Sequence, residues 1–419
     1  MTLTKEIENK IKEVKKADIL VGIPSYNNAH TIGHVVRAVQ AGLAKYFQGR
    51  KSVLVNSDGG STDGTLEVVR SATIDDFQSI MVSESNQSFF KIAAPYPGVP
   101  GKGSAFRTIF EIARALDVKA CAVVDSDLRS ITPEWVELLL KPVLDGGFDY
   151  VAPLYQRHKY DGTITNSIVY PLTRALYGKR VRQPIGGDFG FSNKLARFYL
   201  TKDVWQTDVA RFGIDIWMTT TAIANGFNIC QSFLGAKIHD PKDPGADLSA
   251  MLFQVLSTTF DLVETYSDAW SSVKGSEPVQ TFGFVYDVGL EPVHVNLDRM
   301  IDQFRLGVKE LSHLWQAVLS REALKALRKA SSNMNDEFRI PEETWVEIVY
   351  SFAVASHKNV INREHLLRSL TPLYLGRTAS FVIDTSESSA PEVEEKIEVL
   401  CKLFEEKKSF LLQHWANKP

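Results

Sequence analysis

Asp125 and Asp127 stand two residues apart, directly after the apolar run Ala120-Cys121-Ala122-Val123-Val124. Carboxylates at that spacing can hold a hard divalent cation, Mg²⁺ or Mn²⁺, which often keeps waters and takes phosphate oxygens. The pair therefore points to a nucleoside-diphosphate partner; the alternative is a solvated turn in which Asp127 caps a helix starting at Pro133. Pro100-Gly101-Lys102-Gly103-Ser104 sets two glycines around a lysine at a helix start. Backbone amides can approach a phosphate there and the lysine adds a point charge. The G-x-x-x-x-G-K-[ST] spacing of a P-loop is absent, and a tight turn with an exposed lysine gives the same pattern. Gln183-Pro184-Ile185-Gly186-Gly187-Asp188-Phe189 and Gly213-Ile214-Asp215-Ile216 each join glycine to a carboxylate. Such loops suit a sugar, whose hydroxyls need several acceptors and a close backbone, but two structural turns read alike. His239 becomes a metal ligand only if the fold carries it to Asp127.

The elements that must position these residues alternate. Ile19 to Pro24 reads as a buried strand, Thr31 to Tyr46 as a helix, Ser52 to Val55 as a strand. A helix follows around Leu66, Val68 and Val69, capped by Ser61 or Thr62; then a helix over 102–116 and a strand over 120–124. Strands apolar on both faces and alternating with helices imply a mainly parallel sheet covered on both sides, an α/β class. In such sheets ligands bind beyond the carboxyl ends of the strands. Pro24-Ser25-Tyr26-Asn27, Asp58-Gly59-Gly60 and Asp125-Ser126-Asp127 all lie at such ends. After about Gly245 the pattern turns helical: 248–270, 295–326, 342–355 and 393–416, with loops at 275–278 and 386–391. The expected division is a catalytic α/β domain over 1–245 and a mainly helical domain over 246–419.

Composition excludes several classes. At 419 residues, 44% apolar and 23% charged, the chain is long and apolar enough to fold around a large core. Forty-seven basic against 50 acidic residues leave a net charge of −3, which gives no electrostatic reason for nucleic-acid binding. Three scattered cysteines, Cys121, Cys230 and Cys401, form no C-x-x-C pair and support neither a disulfide framework nor a zinc ribbon. A charged N-terminus without an apolar run, and no span hydrophobic enough for a bilayer, lead to the expectation of a cytoplasmic protein off the membrane.

Taken in order, Pro24-x-Tyr26-Asn27 with Thr31-Ile32, Asp58-Gly59-Gly60-Ser61-Thr62-Asp63 and Asp125-Ser126-Asp127 resemble the nucleotide-sugar half of a GT-A glycosyltransferase. Pro100-Gly101-Lys102-Gly103, Gln183-Pro184-x-Gly186-Gly187, Gly213-Ile214-Asp215 and His239 narrow the resemblance. It is to the retaining enzymes that make mannosylglycerate, glucosylglycerate and glucosyl-3-phosphoglycerate, over residues 18–245. The resemblance implies a GT-A, Rossmann-like fold, a UDP- or GDP-sugar donor and Mg²⁺ or Mn²⁺. It assigns Pro24, Tyr26 and Asp58 to the nucleoside, with Ser25, Asn28 and Ser126 beside them, and Lys102 to the diphosphate. Asp127 and His239 would hold the metal, with Asp125 near the ribose and the metal. Gln183, Gly186, Gly187 and Asp188 would line the sugar pocket, and Asp215 would position hydroxyls. Arg157 and Thr165, with Gly162 and Thr163 between them, would grip the carboxylate of a glycerate acceptor.

Two departures bear on substrate. Asn28 stands where relatives often carry a carboxylate. His239 is followed by Asp240-Pro241-Lys242, and an aspartate is a poor neighbour for an acceptor phosphate, which favours glycerate over 3-phosphoglycerate. The implied reaction is retaining transfer of glucose or mannose by front-face attack, with Lys102, Asp127 and Asp215 central to it. A sugar-nucleotide pyrophosphorylase would want a Gly-rich loop with Arg and Lys after the first strand, which is absent here. A non-catalytic nucleotide-sugar-binding protein is the other rival. An inverting polysaccharide synthase is disfavoured by the missing Q-x-x-R-W motif. The long apolar helices after Gly245 leave room for a homodimer.

Overall fold

The structure is a computed structural model that describes residues 3–72, 89–95, 101–239 and 249–416. Pro100, Asp240, Pro241, Lys242 and Gly245, used in the reading above, lie outside the described residues. The chain divides into two compact units. The first comprises Met1–Gln156, Gln183–Asp240 and Val279–Leu290; the second comprises Arg157–Arg182, Pro241–Pro278 and Glu291–Pro419. The expected cut near 245 thus differs from the observed division. Residues 157–182 pack among the helices of the second unit, and 279–290 return to the first to add a strand to its sheet.

The strands are β1 Ile19–Ser25, β2 Ser52–Asp58, β3 Phe89–Pro95, β4 Ala120–Val123, β5 Tyr150–Gln156, β6 Lys179–Arg180, β7 Phe189–Ser192, β8 Ile229–Ala236, β9 Glu277–Pro278 and β10 Gln280–Phe282. Eight of them form the sheet of the first unit, in the order β10-β8-β5-β7-β4-β1-β2-β3. Only β7, among the described strands of this sheet, runs antiparallel to its neighbours. Every residue of β1 and β2 is buried, as a strand covered on both faces requires. Ile19, Val21 and Ile23 face the helices 29–46 and 133–144, whose Ile32, Val35, Val36, Val39, Trp135, Val136 and Leu139 share their core. Gly22 points the other way, where an added Cβ would stand 2.5 Å from Cδ1 of Ile109, so helix 102–115 lies directly on it.

β1 is the strand from which the chain winds outward in both directions, to β2 and β3 on one side and β4 on the other. A crevice opens at such a switch point. β6 and β9 form a separate two-stranded sheet in the second unit, where 275–278 had been expected as a loop. That unit is otherwise helical, with helices over 249–265, 297–315, 321–332, 342–357, 363–385, 390–406 and 408–416. Among the described residues no helix is long and apolar enough to cross a membrane.

Candidate active site

Three strand ends and two helix starts meet at the carboxyl edge of the sheet. Asp125 follows β4, Lys237 follows β8, and Asp188 immediately precedes β7. Lys102 is the first residue of helix 102–115, and Asp215 sits in the first turn of helix 214–224. Gly103 lets these two helix starts approach. A Cβ there would stand 1.8 Å from the Val209 carbonyl oxygen, whereas the glycine N–H donates to the Arg211 carbonyl at 3.2 Å.

The charges interlock. The Lys102 ammonium lies 2.8 Å from Oδ1 of Asp125 and 3.1 Å from Oδ2 of Asp215. The Lys237 ammonium donates to Oδ2 of Asp125 and Oδ2 of Asp188, both at 2.8 Å, and to the Gly186 carbonyl at 2.7 Å. Asp188 also accepts the Asp125 N–H at 2.7 Å and the Tyr155 hydroxyl. Three carboxylates, Asp188 and Asp215 buried and Asp125 partly so, therefore face the buried Lys237 and the partly buried Lys102 ammoniums, a formal excess of one acidic group. Burial pushes the Asp125 carboxyl up, but Lys102 and Lys237 outweigh it and hold it well below the usual carboxylate range. Burial raises Asp188 and Asp215, against the pull of Lys237 and Lys102 respectively, with the Asp125 charge adding to the rise. Burial lowers Lys102, yet Asp125 and Asp215 more than reverse this and keep it charged.

Oδ1 of Asp215 and Oε1 of Gln183 are among the acceptor atoms of this unit that are buried without a hydrogen-bond partner among the described residues. The other end of Gln183 is fixed, its Nε2 donating to the Tyr155 carbonyl at 3.0 Å. Such atoms cost free energy unless a ligand satisfies them, and sugar hydroxyls are suitable donors. Gly187 takes φ +91°, and a Cβ on it would lie 2.2 Å from Oδ2 of Asp125, so the 183–188 loop rests on the charged pair at a point only glycine fits.

The nucleoside candidates gather at the ends of β1 and β2. Pro24 and Ser25 are buried in β1, and Tyr26 is 62% exposed just beyond it. Ser25 donates to Asp58 at 2.9 Å, while Asp58 also accepts the N–H groups of Gly60 and Ser61 and the Ser61 hydroxyl. Both oxygens of Asp58 are thus occupied in shaping its own loop. Ser61 is used here and not as a helix cap; helix 65–71 has Gly64 at its N-cap, and Asp63 accepts from the Thr65 N–H. The Asn28 side chain accepts from Ser126 at 2.7 Å and from the Tyr26 N–H at 3.2 Å, tying the β1 and β4 turns together.

Asp127 does not cap the helix at Pro133, whose N-cap is Thr132. Its turn instead runs beside the end of β8: the Arg129 N–H donates to the Ile238 carbonyl at 2.9 Å, and the Ile238 N–H donates to Ser130 at 2.9 Å. These bonds bring the neighbourhoods of Asp127 and His239 alongside each other. Asp125, expected at the ribose and metal, instead gives both oxygens to ammonium groups. Among the described residues no three His, Cys, Asp or Glu side chains come together as a metal-binding group. A carboxylate and an imidazole fit a cation that completes its shell with waters and substrate phosphates, rather than an all-protein cage.

The acceptor candidates belong to the second unit. Arg157 pairs with Asp161 at 2.8 Å, both largely buried. Gly162 takes φ +70° beside the Arg157 guanidinium, and Thr163 shares a 2.6 Å hydrogen bond with Tyr374. Thr165 opens a π-helical turn over Thr165–Val169, a geometry that recurs at functional sites. Thr163 also stands in the wall of a cavity of about 490 Å³, together with Arg339, Arg377, Phe381 and Lys396.

Sequence reasoning missed Lys237 and Tyr155. The available signal was a lysine set into the apolar strand-end run Phe233-Leu234-Gly235-Ala236-Lys237-Ile238, because a lysine at such a place needs buried acceptors.

Several solved structures of glucosyl-3-phosphoglycerate synthase from Mycobacterium tuberculosis are similar. One, in complex with phosphoglyceric acid, is 22% identical, with 61% of this chain and 83% of that chain covered and a TM-score of 0.44. Another, with Mn²⁺, uridine diphosphate and glucosyl-3-phosphoglycerate, is 22% identical over 62% of this chain and 85% of that chain, with a TM-score of 0.45. A search of curated proteins finds no match. Residues 20–205 match Glycosyl transferase family 2, a span that runs from Leu20 in β1 past β7 and holds Lys102, Asp125 and Asp188. The match to a family 2 glycosyl transferase domain thus covers the first part of the chain, and the helical C-terminal part lies beyond it.

Proposed function

We propose that this chain is a retaining, metal-dependent hexosyltransferase that moves glucose or mannose from a UDP- or GDP-sugar to D-glycerate or a similar small hydroxy acid. The observation that carries this reading is the charged lysine at the start of helix 102–115, buried between Asp125 and Asp215 at the switch point of the sheet. A helix N-terminus bearing a fixed ammonium suits a diphosphate, and Lys102 would stabilise the charge that grows on it as the glycosidic bond breaks. Asp127 and His239 would hold the divalent cation, which when bound supplies further positive charge at the leaving group.

The exposed ring of Tyr26, with Pro24, Ser25 and Asn28, would receive the nucleoside, and Asp58 and Ser126 would hold the turns that frame it. Oε1 of Gln183 and Oδ1 of Asp215 would accept hexose hydroxyls, with Gly186, Gly187 and Asp188 shaping the wall. Asp215 positions hydroxyls; the leaving phosphate oxygen takes the acceptor proton in a front-face displacement. Arg157, Gly162, Thr163 and Thr165 would bind the acceptor carboxylate.

Product formation from UDP- and GDP-hexoses with D-glycerate and with 3-phosphoglycerate tests the acceptor. The expected outcome is preference for glycerate. Arg157→Ala should raise the glycerate KM roughly ten- to a hundredfold, as loss of a charge-assisted hydrogen bond of about 1.5–3 kcal/mol implies, with little change in donor KM. Strong preference for the phosphorylated acceptor overturns the choice of glycerate, and a donor-side defect in Arg157→Ala overturns the acceptor assignment.

A further inference from the structure

The Lys237 ammonium has three hydrogens and three short acceptors, Asp125, Asp188 and the Gly186 carbonyl, with its side chain only 5% exposed. A lysine so engaged has no hydrogen left to give a substrate. Its three partners come from two places: Asp125 from the turn after β4, and Gly186 and Asp188 from the loop that carries Gln183. The loop has further ties to β5, through Gln183 to the Tyr155 carbonyl and through Asp188 to the Tyr155 hydroxyl. The Lys237 ammonium lies 5.2 Å from the centre of the Tyr155 ring, which closes the group on its apolar side.

We propose that Lys237 is a positioning residue that fixes the 183–188 loop against Asp125, and that through this loop it sets how the donor's hexose is presented for transfer. The loop glycines agree with such a clamp: a Cβ on Gly187 would meet Oδ2 of Asp125 at 2.2 Å and the Lys237 nitrogen at 3.0 Å, and one on Gly186 would meet Pro153 at 2.2 Å. Removing the ammonium leaves the Gly186 carbonyl unpaired and Asp188 without its cation, so the loop loses its tie to β8. A displacement of about 1 Å at a reacting centre is enough to cost roughly a hundredfold in rate. The hexose half of this inference rests on the proposed function; the loop half does not.

Full-length Lys237→Met and Tyr155→Phe variants are compared with the wild type in three measurements: hydrogen exchange on peptides covering 183–192, calorimetric titration with UDP and with GDP in the presence of Mn²⁺, and steady-state transfer from the sugar of whichever nucleotide binds. Faster exchange in both variants is expected. In Lys237→Met a kcat lowered roughly a hundredfold, with unchanged nucleotide affinity, is expected as well. Tyr155→Phe removes one hydroxyl and keeps the ring, so it carries the test if Lys237→Met does not fold. Unchanged exchange and kcat overturn the proposal. So does a loss of nucleotide affinity in Lys237→Met, which would make the lysine a phosphate ligand. Should the wild type bind neither nucleotide, the proposed function fails, while the exchange measurement still decides the clamp.

Discussion

In the proposed reaction, a lysine between two aspartates at a helix start is the unit on which the chemistry would turn. Lys102 is compensated twice over, by Asp125 and by Asp215, and stays charged despite its burial. A diphosphate arriving there would compete with carboxylates already in place, so part of its binding free energy would go into displacing them. Lys102→Ala should raise the donor KM and lower kcat together, by roughly ten- to a hundredfold in kcat/KM, the scale of one charge-assisted hydrogen bond. Initial rates over a donor concentration series check this; unchanged KM and kcat would reduce Lys102 to a structural ion pair. Lys102, Asp125 and the Gly186-Gly187-Asp188 turn were legible in the sequence because glycine beside charge at an element boundary is a local signal. Lys237 was not, since a lone lysine near a strand end reads as a solvated charge until the fold supplies Asp125, Asp188 and Gly186 from more than forty positions away.

Among the elements, the parallel strands and their covering helices follow from local pattern: β1, β2 and β4 are short apolar runs, with polar residues at or just beyond their ends. The contact between the two covering helices has its own polar tie. Glu134, in the first turn of helix 133–144, accepts from Tyr46 at 2.8 Å and Lys45 at 3.0 Å at the end of helix 29–46. The Tyr46 hydrogen bond chiefly, then Lys45, hold its carboxyl down to about 2 against partial burial. A carboxyl lowered in the folded state adds stability above its unfolded value of 4.5, and that contribution disappears as pH falls through about 2. Glu134→Gln should therefore lower stability at neutral pH and flatten the acid limb between these values, the two proteins converging as pH falls to about 2. Urea midpoints across that range decide it; a limb identical to the wild type contradicts the tie. Helix 363–385 escaped the sequence reading for the opposite physical reason. Leu366, Leu370, Leu373, Tyr374 and Ala379 are buried alongside Ser369, Arg377 and Thr378, so no single apolar stripe marks it, and Pro372 and Gly376 interrupt it.

For the whole molecule, the chain's path defeats a linear reading. It leaves the sheet unit at Arg157 and re-enters at Gln183, then returns again for β10, so a boundary drawn once near 245 could not match it. Nothing in local composition marks 157–182 as part of a helical unit, because only packing decides which core Ile168, Val169 and Leu172 join. The first unit carries the candidate donor machinery, with the turns of Asp127 and His239 joined by the backbone bond from Arg129 to Ile238. The central claim is metal-dependent use of a nucleotide sugar at this edge of the sheet. It is tested most directly by nucleoside-diphosphate release from UDP- and GDP-hexoses, with D-glycerate as acceptor, measured with Mn²⁺, with Mg²⁺ and with chelator, in the wild type, Asp127→Ala and His239→Ala. The account predicts release in the wild type with metal and its loss with chelator. It also predicts loss in each variant, with circular dichroism unchanged. Release that survives chelation, or a His239→Ala variant that turns over with Mg²⁺ at the wild-type rate, would contradict it.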